Sequence, residues 1–545
     1  MQVSEAVGRT LAELGVRQAF GVVGSGNFDV TNALIAAGAR YVAARHEGGA
    51  ATMADAYARM SGEVAVLTLH QGCGLTNAMT GLTEAAKSRT PLLVLAAEAN
   101  APTSNFAIDQ AGLAVAVGAS ALRIGSAETA VADAAHAFEL AWGERRTVVL
   151  NLPLEVQGAT VPAAASSVVA QPSGPRSAMA PSPDDVIALA DLLRGSRRPV
   201  LIAGRGARHA REELLALAEA SGALVATSAV ARGLFNGSPW SLDVSGGFAS
   251  PLAASLIADA DVIVGFGCAM NMWTTRHGRL IGPDAHVAQV DVDPDALGRH
   301  RPIQLGVVGD SAATATAVGD ALGDRDGPGY RDDARRSRIA GELRWRDVPY
   351  DDWGDDGTID PRTLTIALDD MLPPERVVAV DSGNFMGFPS MFLSVPDEFG
   401  FCFTQAFQSI GLGLATAIGA ALAQPDRLPV AALGDGGALM AAAELDTVRR
   451  LGLPMLIVVY DDSAYGAEVH HFTDGQPLDT VTFPDTDIAA IGAGYGLDSA
   501  TVRGPADLEA LRQWLNGPRE RALLVDAKVA APRGSWWLEE AFRGH

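Results

Sequence analysis

Cysteine, basic residues and long apolar runs are all scarce in this chain of 545 residues. Its three cysteines, Cys73, Cys268 and Cys402, lie far apart and lack the spacing of a metal site or a disulfide framework, so we expect a reduced, cytoplasmic protein. No apolar run is long enough to cross a bilayer, and residues 1–15 have the pattern of an amphipathic helix rather than of a signal peptide. We therefore expect no membrane partner.

The shortage of basic residues excludes another class of partner. Lys and Arg number 41 against 64 Asp and Glu, which gives a net charge of -23. Such a surface repels nucleic acid, so we expect none as a partner.

Glycine and apolar residues are plentiful instead, with 59 glycines and 48% hydrophobic residues. This composition is typical of multi-domain α/β enzymes, and the length suggests about three domains. A Pro/Ser-rich segment at 166–183 and a charged segment at 323–358 are interpreted as linkers. We predict three consecutive doubly wound parallel-sheet domains, at 1–165, 184–322 and 359–545. Short apolar runs predict strands at 22–23, 41–44, 64–69, 92–96, 147–150, 199–202, 262–266, 286–292, 377–380, 429–433 and 455–460.

Two acidic segments in the third domain carry the strongest functional signal. Gly434-Asp435-Gly436 follows one predicted strand, a helix is predicted over 438–451, and Asp461-Asp462 follows the next strand. Strand–helix–strand of this length predicts a parallel pair, with Asp435 and Asp462 just past the carboxyl ends, where open α/β sheets bind ligands. Carboxylate oxygens suit Mg²⁺, and Gly436 and Gly437 let backbone N–H groups approach an anion. The alternative is a surface turn with two unrelated acids.

A glutamate in the first domain is a second candidate. Glu47 follows the predicted strand 41–44 and begins a helix over the following residues. A buried carboxyl with a raised pKa could share a proton with a ligand. The alternative is a carboxylate that merely stabilises the helix N-terminus.

Together these segments resemble the thiamine-diphosphate superfamily of acetolactate synthase, pyruvate decarboxylase and benzoylformate decarboxylase. The resemblance covers essentially the whole chain and is closest in layout to the acetolactate synthase large subunit. It implies a pyrimidine-binding, a central and a diphosphate-binding domain, with thiamine diphosphate and Mg²⁺ as cofactors. It also implies that Glu47 hydrogen-bonds the aminopyrimidine ring, and that Asp435, Asp462 and the backbone carbonyl of Ala464 bind Mg²⁺.

The chain departs from this family at the second acidic segment, where Asp461-Asp462 replaces the family's Asn-Asn. An Asp at position 462 keeps the oxygen ligand but adds a negative charge beside the diphosphate, which strengthens the demand for a divalent cation. We expect Mg²⁺ to bind. A preference for another divalent ion and loss of cofactor binding are the alternatives.

Further cofactor contacts follow from the resemblance. Ile410 occupies the position of the apolar residue beneath the thiazolium, and Gln408 stands where the family usually has glycine. An isoleucine at a Gly-rich helix start would otherwise be assigned to the core. The full predicted cofactor set is Asp381, Ser382, Gly383, Asn384, Gln408, Ile410, Gly434, Asp435, Gly436, Gly437, Asp462, Ala464 and Tyr465.

Substrate-pocket and acid–base residues are assigned in the same way. His70 matches a catalytic histidine of benzoylformate decarboxylase, and Glu468 matches a proton-donating glutamate of pyruvate decarboxylase. A histidine at a strand end is equally often structural. Trp273 stands where acetolactate synthase has an arginine that receives the second keto acid. The predicted pocket set is Ser25, Gly26, Asp109, Gln110 and Trp273.

The expected activity is decarboxylation of a 2-oxo acid, with transfer of the acyl-anion equivalent to a carbonyl acceptor. Simple decarboxylation to an aldehyde and a non-catalytic homologue are the alternatives, and a nicotinamide dehydrogenase is a weaker one. For flavin (FAD) the only signal is the lone Gly204-Arg205-Gly206, so FAD is possible but not supported. The resemblance also implies a homodimer or homotetramer with active sites at the subunit interface.

Overall fold

The computed structural model describes residues 1–163, 178–323, 327–472 and 475–541, with only the backbone for 539–541. Within these ranges the strands form three six-stranded sheets, and the strand pairs in each are parallel. Helices connect successive strands, which confirms the predicted α/β fold class with three parallel sheets. No helix in the described ranges has both the length and the hydropathy that a membrane span needs.

The first sheet has the strand order β2-β1-β3-β4-β6-β5. Its strands are β1 (Gln18–Gly21), β2 (Arg40–Ala43), β3 (Ala65–Leu69), β4 (Leu92–Glu98), β5 (Ser120–Arg123) and β6 (Thr147–Pro153). Its helices are α1 (Val3–Glu13), α2 (Phe28–Ala36), α3 (Glu47–Ser61), α4 (Cys73–Lys87), α5 (Gln110–Ala116), α6 (Ala130–Glu144) and α7 (Leu154–Gln157). The central strands β3 and β4 are mostly apolar and almost entirely buried, because helices cover both faces.

The second sheet has the order β12-β11-β10-β7-β8-β9. Its strands are β7 (Pro199–Ala203), β8 (Leu224–Thr227), β9 (Ser241–Val244), β10 (Val262–Phe266), β11 (His286–Asp291) and β12 (Leu305–Val308). The helices of this region are α8 (Pro183–Gly195), α9 (Arg211–Ser221), α10 (Pro251–Ala258), α11 (Met272–Thr275), α12 (Ser311–Leu322) and α13 (Asp333–Glu342).

The third sheet has the order β14-β13-β15-β16-β18-β17. Its strands are β13 (Arg376–Val380), β14 (Phe401–Phe403), β15 (Leu428–Gly434), β16 (Leu456–Asp461), β17 (Asp498–Val502) and β18 (Leu523–Lys528). Its helices are α14 (Pro361–Met371), α15 (Gly387–Phe392), α16 (Gly413–Ala423), α17 (Asp435–Met440), α18 (Leu445–Leu451), α19 (Gly466–His471), α20 (Ile488–Gly494), α21 (Glu509–Asn516) and α22 (Trp536–Ala541).

The first and third sheets repeat one topology. If each sheet's strands are numbered from its own start, both have the order 2-1-3-4-6-5. The order reverses between β1 and β3 in the first sheet and between β13 and β15 in the third. Ligand crevices form at the carboxyl ends of strands beside such reversals, so each of the two sheets has one potential crevice.

Helices of these two sheets share a continuous core. Apolar side chains of α3, α4 and α16 pack together, among them Met53, Leu82 and Ile418. Gly419 permits close contact, because an added Cβ would lie 2.2 Å from the carbonyl oxygen of Met53. The first and third sheets are therefore held together within one chain by small residues on facing helices.

Two local predictions, of one strand and one helix, were wrong. The strand predicted at 22–23 lies earlier, at Gln18–Gly21, and Val23 is exposed. The helix predicted over 438–451 begins at Asp435 and is interrupted by a 3₁₀ turn, Ala442–Glu444, which turns Glu444 toward the first sheet. The predicted linker at 323–358 contains helix α13.

The predicted domain boundaries remain predictions. Most of the other linker, through residue 177, lies outside the described residues, and α8 begins within its last residues at Pro183.

Candidate active site

The acidic edge of the third sheet is formed by two neighbouring strands. Strands β15 and β16 pair in parallel, with Gly434 opposite Tyr460, so Asp435 and Asp462 follow adjacent carboxyl ends. The backbone N–H of Ala464 lies beside the carboxylates of both residues. The structure therefore brings the two predicted carboxylate ligands and the backbone of Ala464 together.

The two carboxylates of this edge resist ionisation. Burial is the main cause, and repulsion from neighbouring carboxylates adds to it, raising the pKa of Asp435 to about 7 and that of Asp462 to about 8. Among the described residues, neither side chain forms an ion pair. A divalent cation would supply the missing positive charge, so the residues present fit Mg²⁺.

The side chains alone would leave such a cation incompletely coordinated. In the described ranges no group of three or more His, Cys, Asp or Glu side chains could hold a metal ion. Two carboxylates and a carbonyl would need oxygens from a bound ligand, as Mg²⁺ sites that use substrate phosphates do.

Glycines line the loop at the start of α17. A Cβ at Gly436 would lie 2.6 Å from the Tyr465 ring, and a Cβ at Gly434 would lie 3.0 Å from the Phe385 ring. A Cβ at Gly437 would lie 2.2 Å from a carboxylate oxygen of Asp381. Larger side chains at these positions would push the flanking loops away from the acidic edge.

Asp381, predicted to bind the cofactor, is buried and engaged within the protein. Its carboxylate accepts from the N–H groups of Ser382 and Gly411 at 2.9 Å and of Leu412 at 3.2 Å. Burial raises the pKa of this carboxyl to about 6 despite these bonds. The side chain thus joins the loop after β13 to the start of α16.

The remainder of this loop contacts the C-terminal segment. Asn384 is 5% exposed, and its side-chain oxygen accepts from the Ser535 N–H at 2.8 Å. Its carbonyl accepts from the Ser535 hydroxyl at 2.7 Å and from Trp537 Nε1 at 3.1 Å. Gly383, with φ of 137°, makes the turn that follows Ser382.

The segment carrying Gln408 and Ile410 is held by the first sheet's helices. Glu84 of α4 accepts from the backbone N–H groups of Ala406 at 3.0 Å and Phe407 at 2.6 Å. Gln408 is exposed and has φ of 61°, the left-handed conformation that favours glycine. Ile410 is only half-buried, unlike a core isoleucine.

Glu47 begins helix α3 and is half-buried. Asn77 Nδ2 donates to its carboxylate at 3.0 Å. Immediately before it, the N–H groups of Arg45 and His46 both donate to Oε1 of Glu444 at 3.0 Å. A buried carboxylate of the third sheet thus fixes the start of the helix that carries Glu47.

Three predicted pocket residues meet at the crevice of the first sheet. The Gly26 N–H donates to His70 Nδ1 at 3.4 Å, and Ser25 beside it is exposed. With Nδ1 as acceptor, the neutral His70 ring carries its proton on Nε2. The loops after β1 and β3 therefore place a histidine proton donor next to this crevice.

Asp109 and Gln110 both form hydrogen bonds within the first sheet region, Asp109 at its surface and Gln110 in its interior. Asp109 caps α5 by accepting from the Gly112 N–H at 2.8 Å. Gln110 accepts from the Gly72 N–H at 3.0 Å and donates to Asn151 at 2.7 Å. The buried Gln110 side chain therefore helps to fix the backbone turn that follows His70.

Trp273 and Glu468 lie on different elements. Trp273 packs on Trp537, with ring centroids 6.3 Å apart, and so joins the second sheet region to the C-terminal segment. Glu468 is half-buried on α19, and no side-chain hydrogen bond is found for it in the described part of the chain.

Four supporting residues were missed from sequence: Glu84, Glu444, Lys528 and Ser535. Lys528 contacts Asp461 at 2.5 Å, next to the acidic edge. The only signal for it was the Asp461-Asp462 pair itself, because a buried carboxylate demands a cation partner. The other three carry no motif.

Three stretches of the chain match the domains of thiamine pyrophosphate enzymes. Residues 1–116 match the N-terminal TPP binding domain, 186–318 the central domain and 381–527 the C-terminal TPP binding domain.

Relatives are similar along nearly the whole chain. A probable acetolactate synthase large subunit of Methanocaldococcus jannaschii is 26% identical, over 98% of this chain and 93% of that protein. A sulfoacetaldehyde acetyltransferase of Rhodobacter capsulatus is 29% identical, over 99% and 96%. A probable 2-ketoarginine decarboxylase of Pseudomonas aeruginosa is 29% identical, over 94% and 91%.

A solved structure shares the fold. The thiamine diphosphate-dependent 4-hydroxybenzoylformate decarboxylase of Rhodococcus jostii RHA1 has a TM-score of 0.81 at 21% identity, over 97% of this chain and 99% of that one.

Proposed function

Because the chain belongs to the thiamine pyrophosphate enzyme family, we propose that it decarboxylates a 2-oxo acid and transfers the resulting acyl-anion equivalent to a carbonyl acceptor. The observation that carries the proposal is the acidic edge, where Asp435, Asp462 and Ala464 meet at adjacent strand ends. Relatives named as a synthase and as an acetyltransferase support transfer.

The proposed roles follow from the chemistry of the side chains. Thiamine diphosphate supplies an electron sink for decarboxylation when it is bound. Asp435, Asp462 and the Ala464 carbonyl would hold Mg²⁺, and the N–H groups beside Gly436 and Gly437 would face the diphosphate. Glu47 would hold a proton against the aminopyrimidine ring. Ile410 would fix the shape of the cofactor by contact.

We propose a homodimer, or a homotetramer made of two such dimers, as the active assembly. Large apolar side chains lie exposed near the cofactor segments, including Phe106 at 41%, Phe407 at 45%, Met440 at 56% and Val115 at 63%. Phe407 also lines an open cavity of about 450 Å³ with Lys87 and Val117. Exposed apolar groups of this number favour burial against a second copy.

One observation favours a second candidate, simple decarboxylation to an aldehyde. His70 accepts from the Gly26 N–H, which leaves its Nε2–H as a donor beside the first crevice. A proton donor there would complete decarboxylation without an acceptor. The relative named as a decarboxylase is in keeping with this candidate.

A panel of 2-oxo acids tests the proposal, each incubated with thiamine diphosphate and Mg²⁺, with and without an aldehyde or keto-acid acceptor. Carbon dioxide and organic products are both quantified. Transfer predicts a ligated product equal in amount to the carbon dioxide released. Aldehyde in place of that product supports the second candidate, and no carbon dioxide from any acid supports a non-catalytic homologue.

A further inference from the structure

A buried lysine lies directly behind the acidic edge. Lys528 ends β18, pairs in register with Asp461 at the end of β16, and is only 6% exposed. Its Nζ is 2.5 Å from Oδ2 of Asp461. Both side chains are nearly inaccessible to water, so the charge of Asp461 requires a cation beside it.

Lys528 has further acceptors that fix its position. Its ammonium also contacts Oδ1 of Asp485 at 2.6 Å, the Thr486 carbonyl at 2.8 Å and Oδ2 of Asp526 at 3.1 Å. Asp526 is fully buried, whereas the Asp485 side chain is 63% exposed. The ammonium is therefore held by groups from three separate segments.

The second oxygen of Asp461 controls the turn that carries the predicted ligands. Oδ1 accepts from the backbone N–H of Ser463 at 2.9 Å and from its hydroxyl at 3.3 Å. Ser463 has φ of 52°, a left-handed conformation that costs energy for a serine. It lies between Asp462 and Ala464, so this hydrogen bond helps to fix how both residues face the edge.

We propose that Lys528 is a positioning residue for the metal–diphosphate edge: its ion pair with Asp461 neutralises that carboxylate and holds the turn at Ser463, so that Asp462 and Ala464, but not Asp461, join Asp435 in facing the cation. This inference rests on the proposed function. It accounts for the acidic pair Asp461-Asp462, because one acid is paired internally and only the other faces the ligand. Without Lys528, the edge would contain three carboxylates with no basic partner: Asp435, Asp461 and Asp462.

A double-mutant cycle tests the pairing. The dissociation constant of thiamine diphosphate at saturating Mg²⁺ is measured by calorimetry for the wild type, Lys528→Gln, Asp461→Asn and the double variant. We expect Lys528→Gln to weaken binding about tenfold or more in the wild-type background, the usual effect of removing a group behind a metal ligand. In the Asp461→Asn background the same change should weaken binding less than about threefold, since no unpaired carboxylate is left at position 461.

Asp485→Asn is the matched control. It removes another carboxylate partner of the same lysine, but an exposed one, and should change the dissociation constant less than about twofold. Thermal unfolding of each metal-free variant separates a loss of stability from a loss of affinity.

The outcomes are distinct. Equal weakening in both backgrounds, or a lower unfolding midpoint with unchanged affinity, overturns the role of Lys528 while leaving the proposed function intact. A wild type that binds no thiamine diphosphate overturns both. If Lys528→Gln alone does not fold, the double variant must still fold and bind within about threefold of Asp461→Asn; failure there also overturns the inference.

Discussion

Glu47 has a half-buried carboxylate that receives a hydrogen bond from Asn77 at 3.0 Å. If it shares a proton with the cofactor ring, Glu47→Gln removes that function and little else, because glutamine has the same shape. We expect turnover to fall at least about a hundredfold, with the affinity for thiamine diphosphate nearly unchanged. Steady-state kinetics and calorimetry on the same preparation check this, and near-normal turnover would rule out the role.

The backbone conformation of Gln408 lowers the free energy of unfolding, and this effect is confined to one position. Its φ of 61° is unfavourable for any residue with a Cβ. We expect Gln408→Gly to raise the free energy of unfolding of the metal-free protein by about 1 kcal/mol. Gln408→Ala keeps the Cβ and is the control, with a change within about 0.5 kcal/mol. A glycine variant no more stable than the alanine variant in denaturant titrations would show that the position is unstrained.

The acidic edge joins β15 and β16 and gives the metal-free protein a characteristic pH dependence. The folded pKa values, about 7 for Asp435 and about 8 for Asp462, exceed the ordinary value of 3.8. Between about pH 4 and pH 8 the folded state therefore holds protons that the unfolded state releases, so stability falls as the pH rises. Ionised carboxylates are also what Mg²⁺ requires, so its affinity should rise over the upper part of this range.

Thermal unfolding midpoints across this pH range measure the effect. In the metal-free protein the unfolding midpoint should fall as the pH rises, and we expect Asp462→Asn to make this fall markedly smaller. Asp498→Asn, at an exposed carboxylate of β17, should leave the fall as in the wild type. Identical pH profiles for the wild type and Asp462→Asn would contradict the account of this edge.

At the scale of elements, the strand–helix–strand unit around Asp435 could be predicted, but its surroundings could not. Apolar runs bounded by glycine locate β15 and β16, and the acids must then follow their carboxyl ends. Glu444 reaches the N–H groups of Arg45 and His46, about four hundred residues earlier in the chain. Such contacts depend on how α3 and α16 pack, which no local pattern specifies.

At the scale of the whole molecule, three parallel sheets could be predicted from alternating strand and helix signals. The edge strands β5, β9, β12, β14 and β17 were not predicted, because brief runs at a sheet edge resemble loops. The buried strands β8 and β18 were also missed. The repeated strand order of the first and third sheets was visible only as similar size and pattern.

The proposed dimer makes a prediction about shared sites. If Glu47 of one subunit serves the acidic edge of the other, Glu47→Gln and Asp435→Asn are each inactive, but a mixed dimer regains one intact site. Random reassociation gives half mixed dimers with one of two sites intact, so about a quarter of wild-type activity should return. Each variant reassociated alone is the control. Mass spectrometry establishes that mixed dimers have formed. If they have formed and no activity returns, both residues of a site lie in one chain.

Calorimetric titration of thiamine diphosphate into the wild-type protein, in Mg²⁺ and then in excess EDTA, shows whether the acidic edge binds this cofactor through a divalent cation. Because neither Asp435 nor Asp462 has a basic side chain as ion-pair partner in the described residues, we expect saturable binding of one thiamine diphosphate per chain in Mg²⁺ and its loss in EDTA. Equal binding in both buffers, or none in either, would contradict this expectation.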